Sequence, residues 1–459
     1  MSDLALATSN ENAIPIHVFK PGEVAKSTAL SDPDKTWAKA NGFDGQVGRV
    51  LLVPDGDGKI SSALFGSGKP DDFNLPLITG TLGSKLPKGT YEFATKFEEP
   101  HLAALGWLLG SYTFSEYKSK GTKKAKLVLP AEVDQQRLET EANATFLARD
   151  LINIPANDMG PDQLEAAIKK IAKPHKAKVT VIKGDDLLKQ NFPMIHAVGR
   201  ASTDAPRLID LTWGNDADPK VTLVGKGVIF DTGGLNIKPG NSMALMKKDM
   251  GGAANCIALA QMIMEFRLPV RLRLLVPAVE NAISGNAFRP GDILPSRKGI
   301  SVEIGNTDAE GRLILGDALA LGDEETPDLM IDMATLTGAA RVALGPDLPP
   351  FYTDDHELAD GIAKSAEMVC DPLWQMPLWP PYQKMLSSKV ADVNHITSNG
   401  FAGSITAALF LSRFVENCKS WAHFDVYGWT PTAKPWSPVG GEAQGIRALF
   451  DMMVKRYSR

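Results

Sequence analysis

Apolar positions recur along this chain with two different spacings. In the first third, short apolar segments (GRVLLVP, KISSALFG, TYEFATKF) alternate with polar turns and lead into a helix-like HLAALGWLLGSYTFSEY and a strand-like AKLVLP. That pattern predicts a small α/β domain over residues 1–132. From Glu132 to about Asn153 the apolar residues keep a helical spacing among mixed charges and then meet IPANDMGP, a Pro/Gly/Asn breaker. The spacing predicts a helix that links two domains, the second of which, counting this linker, spans 133–459. Beyond it, strand candidates (KVTVI, RLIDLTW, KVTLVGKGVIF, VRLRLLVPAV, LMIDMATLT, WAHFDVYG) alternate with helical ones (QLEAAIKKIA, GAANCIALAQMIMEF, RLILGDALALGDEE, SITAALFLSRFV). The alternation predicts an α/β/α sandwich around a mostly parallel central sheet, whose ligands collect outside strand ends.

Composition narrows the setting. A chain of 459 residues that is 44% hydrophobic and 22% charged can bury two cores. A net charge of −5 gives no basic field for phosphate backbones, so a nucleic acid is not the expected partner. The three cysteines, Cys256, Cys370 and Cys418, lack CxxC spacing and fit a reducing compartment. The start, MSDLALATSNENAIP, is polar and acidic where a signal peptide would be basic and then apolar, and no run of about 18 apolar residues suggests a membrane span. A cytoplasmic protein without a membrane partner is the expectation.

Polar groups in the second domain cluster where strands should end. KVTLVGKGVIFDTGG places Lys226 inside an apolar stretch and Asp231 at its end, before two glycines. MKKDMGGAANCIALAQM puts Asp249 at a helix start, which the helix dipole favours for a carboxylate. NTDAEGRL adds Asp308, Glu310 and Arg312, which an extended segment would aim to one side. Four carboxylates in one dry site repel one another unless cations neutralise them, and hard oxygen ligands suit divalent metals; the charge count fits two. Burial and nearby cations lower a lysine pKa, which makes the Lys226 amine a candidate nitrogen ligand. Each residue alone has a plainer reading: a salt-bridged turn for DAEGR, a snorkelling Lys226, a capping Asp249, solvated Lys238 and Lys247. Their joint order and spacing argue otherwise. His395 and His423 sit in no HxxxH or HExxH spacing and read as structural.

With VGKGVIFDTGG, NIKPGNSMALMKKDMGGAA, NTDAEGRLILGDAL and DMATLTGA in this order, and more weakly GFAGSITAALFL and WAHFDVYG, the chain resembles the leucyl (cytosol) aminopeptidases of the M17 metallopeptidase family over most of residues 150–430. The resemblance implies that Asp231, Asp308 and Glu310 hold one metal and Lys226, Asp231, Asp249 and Glu310 the other, with Asp231 and Glu310 bridging. It implies that Lys238 polarises the substrate carbonyl, that Arg312 holds a bicarbonate acting as general base, that Met246 walls the first side-chain pocket, and that Leu336 meets the substrate through a backbone group. Ala244 and Leu245 stand where some relatives carry polar or acidic residues, which bears on side-chain preference rather than on catalysis.

The resemblance further implies two divalent ions per subunit, Zn or Mn foremost, a homohexamer, and a metal-dependent aminopeptidase acting on peptides with a free N-terminus and Leu-like first residues. Two metals about 3.5 to 4 Å apart lower the pKa of a bridging water and stabilise a tetrahedral oxyanion, and a free α-amine on an open metal position would select the chain end. Two other readings stay open: a dipeptidase, for example on cysteinylglycine, using the same centre, and a secondary DNA-binding or scaffolding role.

Overall fold

The computed structural model describes residues 4–68, 75–118 and 125–458, which divide into two compact units. The first comprises Met1–Phe146 with Thr430–Val439. Its strands are β1 (Ile14–Phe19), β2 (Val50–Pro54), β3 (Ile60–Gly66), β4 (Thr90–Phe93) and β5 (Lys126–Leu127), in the sheet order β2-β3-β1-β4-β5. Only β2 and β3 run antiparallel, because the Asp55 side chain folds the DGDG segment into a tight turn by accepting from Asp57 and Lys59 N–H at 2.9 and 2.8 Å. The helix expected over HLAALGWLLGSYTFSEY is shorter, Pro100–Gly110. There the chain leaves the helix after a glycine-lined crossing; a Cβ on Gly110 would lie 2.1 Å from the Gly80 carbonyl oxygen, so the contact needs glycine.

The predicted linking helix is present as Gln135–Asn153, and the division between the units falls within it, after Phe146. The second unit comprises Leu147–Trp429 with Gly440–Arg459. It contains β6 (Lys178–Lys183), β7 (Arg207–Trp213), β8 (Lys220–Gly225), β9 (Gly227–Asp231), β10 (Arg271–Asn281), β11 (Ile293–Pro295), β12 (Ser301–Glu303), β13 (Leu329–Ala334), β14 (Pro350–Tyr352), β15 (Trp374–Gln375), β16 (Val393–Asn394) and β17 (Trp421–Asp425). The main sheet runs β15-β14-β17-β13-β8-β10-β7-β6, with β9 added beside the far half of β10. β17, β13, β8 and β10 are mutually parallel, and β7, β6 and β14 supply the antiparallel flanks. The central strands are buried along nearly their whole length, as VTLV, LRLLVPAV and LMIDMA anticipate.

KVTLVGKGVIF is not one strand. The Lys226 N–H still follows the ladder to the Met333 carbonyl at 3.0 Å, but its own carbonyl leaves the sheet and accepts from Ala253 N–H at 2.9 Å, in helix Gly251–Glu265. Helix Gly251–Glu265 lies close on β8 and β13, because Gly252 meets the Met333 carbonyl where a Cβ would come within 2.1 Å. An apolar cluster joins helix Gly311–Asp323 to helices Pro193–Gly199 and Gly403–Ser412. The carboxyl ends of β8, β9, β10, β13 and β17 therefore meet the starts of two buried helices, the place where an α/β sheet collects ligands.

Candidate metal centre

Asp231, the last residue of β9, is buried, and its Oδ1 accepts from Gly233 N–H and from Asn281 Nδ2, each at 2.8 Å. That leaves Oδ2 for Lys238 Nζ, at 2.8 Å. Gly233, at φ +86°, lets the chain fold back so closely that a Cβ there would lie 2.9 Å from Asp308 Oδ1. Asp249 sits in the 3-10 turn Met246–Met250 just ahead of helix Gly251–Glu265. Thr335, immediately after β13, donates its hydroxyl to Asp249 Oδ1 at 2.8 Å and accepts Lys226 Nζ on its carbonyl at 3.1 Å.

NTDAEGRL is not extended. Asn306 caps a 3-10 turn, Thr307–Ala309, by accepting from Asp308 N–H at 2.8 Å, and Glu310 (φ −69°, ψ −33°) is already helical ahead of Gly311–Asp323. Asp308 and Glu310 still meet, because the 3-10 turn that carries Asp308 ends where the helix behind Glu310 begins, and both reach Asp231; Arg312, inside the helix, reaches the His395 carbonyl instead. Gly311 is required beside Lys226, whose Cε a Cβ would approach to 2.5 Å.

Oxygens of Asp231, Asp308 and Glu310 lie within 4.8 Å of one another. Lys226 Nζ sits 2.8 Å from Asp249 Oδ2 and 3.0 Å from Glu310 Oε1; Lys238 Nζ sits 2.8 Å from Asp231 Oδ2 and 2.5 Å from Asp308 Oδ1. Four carboxylates thus share two ammonium groups. Burial pushes Asp231 well above the usual carboxylate range, and the charges of Glu310 and Asp249 add to it. Asp249 is pushed up to about 6, chiefly by burial, with Lys226 pulling back and Glu310 adding to the rise. Asp308 is also raised by burial, although Lys238 opposes. Burial would raise Glu310 too, but Lys226 and Lys238 outweigh it and hold the group low. For Lys226 burial works against the charge, and Asp249, Glu310 and Asp231 together overcome it.

This donor set fits divalent cations. Both oxygens of Glu310 are buried, Oε2 with no hydrogen-bond partner among the described residues and Oε1 with the Lys226 ammonium at 3.0 Å, which Asp249 shares, an expensive state for a carboxylate unless further positive charge is supplied. Oxygens of Asp231 and Asp308 lie within 4.8 Å of a Glu310 oxygen, and the one nitrogen, Lys226, would lose its proton as added cations oppose its charge.

Arg312 is buried and donates from Nη1 to the His395 carbonyl at 2.6 Å, while its Nε has no hydrogen-bond partner among the described residues. Burial brings its guanidinium down to about 10, against the pull of Asp425 and Glu310. His395 is no ligand. Burial, then Arg312, drives it down to about 3, and its ring nitrogens are taken by the Asn306 carbonyl at 2.9 Å and Gly305 N–H at 3.2 Å. His423 pairs with Asp332 at 2.5 Å inside the sheet. Met246 is half-buried at the start of the turn carrying Asp249. Leu336, two residues past β13, is half-buried and gives its N–H to Asp425 Oδ1 at 3.0 Å.

Sequence reasoning overlooked Asn281, Thr335 and Asp425. All three stand at carboxyl ends of parallel strands, a position that is a usable signal; Asn281 and Thr335 are neutral and draw no notice in a search for metal ligands, while Asp425, a carboxylate, is spent on the Leu336 and Thr337 N–H groups and the Thr337 hydroxyl.

Comparison with known proteins identifies the family. The catalytic domain of the cytosol aminopeptidase family matches residues 146–450, and the M17 aminopeptidase N-terminal domain matches residues 14–130. The chain belongs to the cytosol aminopeptidase family. As a member it is an M17 metallo-exopeptidase, and its N-terminal third belongs to the same architecture. It is 40% identical to the probable cytosol aminopeptidase of Roseiflexus castenholzii over 76% of this chain and 75% of that one. It is 35% identical to that of Chlorobium phaeobacteroides over 95% of each. Among solved structures, the cytosol aminopeptidase of Coxiella burnetii is 45% identical with a TM-score of 0.94, covering 98% of this chain and 99% of that one. The bottromycin maturation enzyme BotP in complex with Mn is 29% identical with a TM-score of 0.87, covering 96% and 99%. Among the described residues no helix is long and apolar enough to cross a membrane.

Proposed function

We propose that this cytosol aminopeptidase removes Leu-like residues from the N-terminus of peptides at the centre formed by Lys226, Asp231, Asp249, Asp308 and Glu310. The observation that carries the reading is the surplus of carboxylates around the buried Glu310, whose Oε2 has no hydrogen-bond partner among the described residues and whose Oε1 has only an ammonium that Asp249 shares. Asp231, Asp308 and Glu310 would hold one divalent ion, and Lys226, Asp231, Asp249 and Glu310 a second, with Asp231 and Glu310 shared. Such ions supply Lewis acidity and a water activated near neutral pH. Mn is one candidate, since BotP is described in complex with it, and Zn another.

The chain's own groups would do the rest. Lys238, freed from Asp231 and Asp308 once cations neutralise them, offers its ammonium to the carbonyl oxygen as negative charge develops there. Arg312, buried with its Nε unpartnered among the described residues, would hold a bicarbonate, which would supply general-base chemistry there. Because the Leu336 N–H is spent on Asp425, a backbone contact to substrate falls to its carbonyl. Met246 walls the first side-chain pocket. A homohexamer in the cytoplasm is the working assembly.

The test is a pair of substrates. Leu-amide is hydrolysed and N-acetyl-Leu-amide is not, because only a free amine can occupy an open metal position. Comparable rates on both, measured on metal-loaded enzyme, would sink the exopeptidase reading of this site.

A further inference from the structure

Asn281, the last residue of β10, is fully buried and stands outside the set of expected ligands. Its register against β9 shifts between Val279 and Asn281, so that Asn281 comes to face Asp231. A single amide group then does two things. Nδ2 donates to Asp231 Oδ1 at 2.8 Å and to the Thr307 carbonyl at 3.0 Å. These acceptors belong to two separate segments, the end of β9 and the turn Thr307–Ala309 that carries Asp308. The Asn281 carbonyl also accepts from Thr232 N–H at 3.1 Å and Thr232 Oγ1 at 2.8 Å, which pins the backbone just past Asp231.

The amide cannot be turned over. A flip would set its oxygen against two acceptors, Asp231 Oδ1 and the Thr307 carbonyl, so the network fixes which end donates. The cost falls on Oδ1, which is buried without a hydrogen-bond partner among the described residues; a Cβ on Gly234 would come within 2.9 Å of it. An unsatisfied amide oxygen in a fully buried site is a liability. Such a residue is expected where both amide hydrogens have work that a smaller or apolar side chain cannot do.

We infer that Asn281 is a positioning residue for the metal centre: its two amide hydrogens lock the Asp231 carboxylate and the Asp308 turn into one geometry. With Gly233 N–H it saturates Asp231 Oδ1 and so directs Oδ2 into the cluster. This rests on the reading of Asp231 as a shared metal ligand.

The experiment uses full-length enzyme stripped of metal by chelation and titrated with Mn²⁺, with bound ion measured after equilibrium dialysis. Asn281→Leu keeps the shape and removes both donors; Asn281→Ala is the companion should the leucine variant fail to fold. Either is expected to weaken Mn²⁺ binding by about 10- to 100-fold, the usual cost of losing an outer partner of a ligand. A merely structural asparagine would lower the melting temperature of the metal-free protein and leave the titration unmoved, so an Mn²⁺ affinity within about twofold of the parent overturns the inference. Asp231→Asn, run beside them, separates the two failures. If it loses Mn²⁺ while the Asn281 variants keep it, only the role of Asn281 is wrong; if it too keeps Mn²⁺, the metal site itself has been misread.

Discussion

The two ends of β10 carry charged clusters of opposite design. Near its start, Arg273 donates from Nε and Nη2 to the two oxygens of Asp210, at 3.1 and 2.7 Å, and reaches Glu325 through Nη1 at 3.0 Å. Glu325, about a third exposed, can also use water, so the surplus negative charge there is cheap. At its far end, Asn281 borders a cluster of four carboxylates that share two ammonium groups, and Glu310 Oε2 is buried without a hydrogen-bond partner among the described residues. The first cluster can shed its surplus charge to water; the second keeps its surplus buried, as a cation site would. Ion pairs of the first sort hold a sheet together, whereas a cluster of the second sort opposes folding and is retained for its chemistry.

The largest effect is expected at Glu310. Glu310→Gln removes a charge shared by two cations and replaces a carboxylate oxygen with a weaker amide, so both metals should be lost on dialysis, with an affinity drop exceeding the roughly 100-fold that a supporting residue costs. Arg312→Ala leaves every ligand in place and removes the cradle of the base. Its kcat should fall by about 10²- to 10⁴-fold with metal content intact. Bound metal per subunit, measured beside kcat for both variants, decides: two metals retained by Glu310→Gln, or metals lost by Arg312→Ala, would reverse the roles assigned within NTDAEGRL.

Lys238 comes next. In the structure its ammonium rests between Asp231 and Asp308, yet the proposed task is at the substrate carbonyl. Lys238→Ala should lower kcat by about 10²- to 10³-fold, as for one lost oxyanion donor, with KM and metal content little changed. If metal content fell in step with kcat, Lys238 would instead be a structural part of the carboxylate cluster.

How much of this was legible beforehand follows from residue type. Lys226, Asp231, Lys238, Asp249, Asp308, Glu310 and Arg312 could be found because charged residues near apolar strand ends are conspicuous in a sequence. The backbone beneath them was read less well. KVTLVGKGVIF looks like one strand because nothing local reveals that the Lys226 carbonyl goes to the Ala253 N–H of a helix rather than to a strand. NTDAEGRL looks extended because the cap that turns it, Asn306, is a short polar residue equally at home in a loop. Asn281 and Thr335 were missed for a related reason: a neutral amide and a hydroxyl declare a role only when the carboxylate they hold is in view.

The smallest expected effect is at the first of the two clusters, and it tests whether the comparison is sound. Arg273→Met keeps most of the side-chain stem, which is buried between β7 and β8, and removes the paired guanidinium. Asp210 is left without its bidentate partner, but it is partly exposed and can turn to water, so the loss should be about 1–3 kcal/mol, that of a charge-assisted hydrogen-bonded pair. Because Arg273 near the start of β10 and Asn281 at its end are held by different partners, nothing ties this pair to the carboxylates. Urea unfolding should show the lower stability, while kcat and bound metal of the folded variant stay within about twofold of the parent. A tenfold fall in kcat at full metal content would mean that the two ends of β10 are coupled, and that the division drawn between a structural ion pair and a functional one does not hold in this sheet.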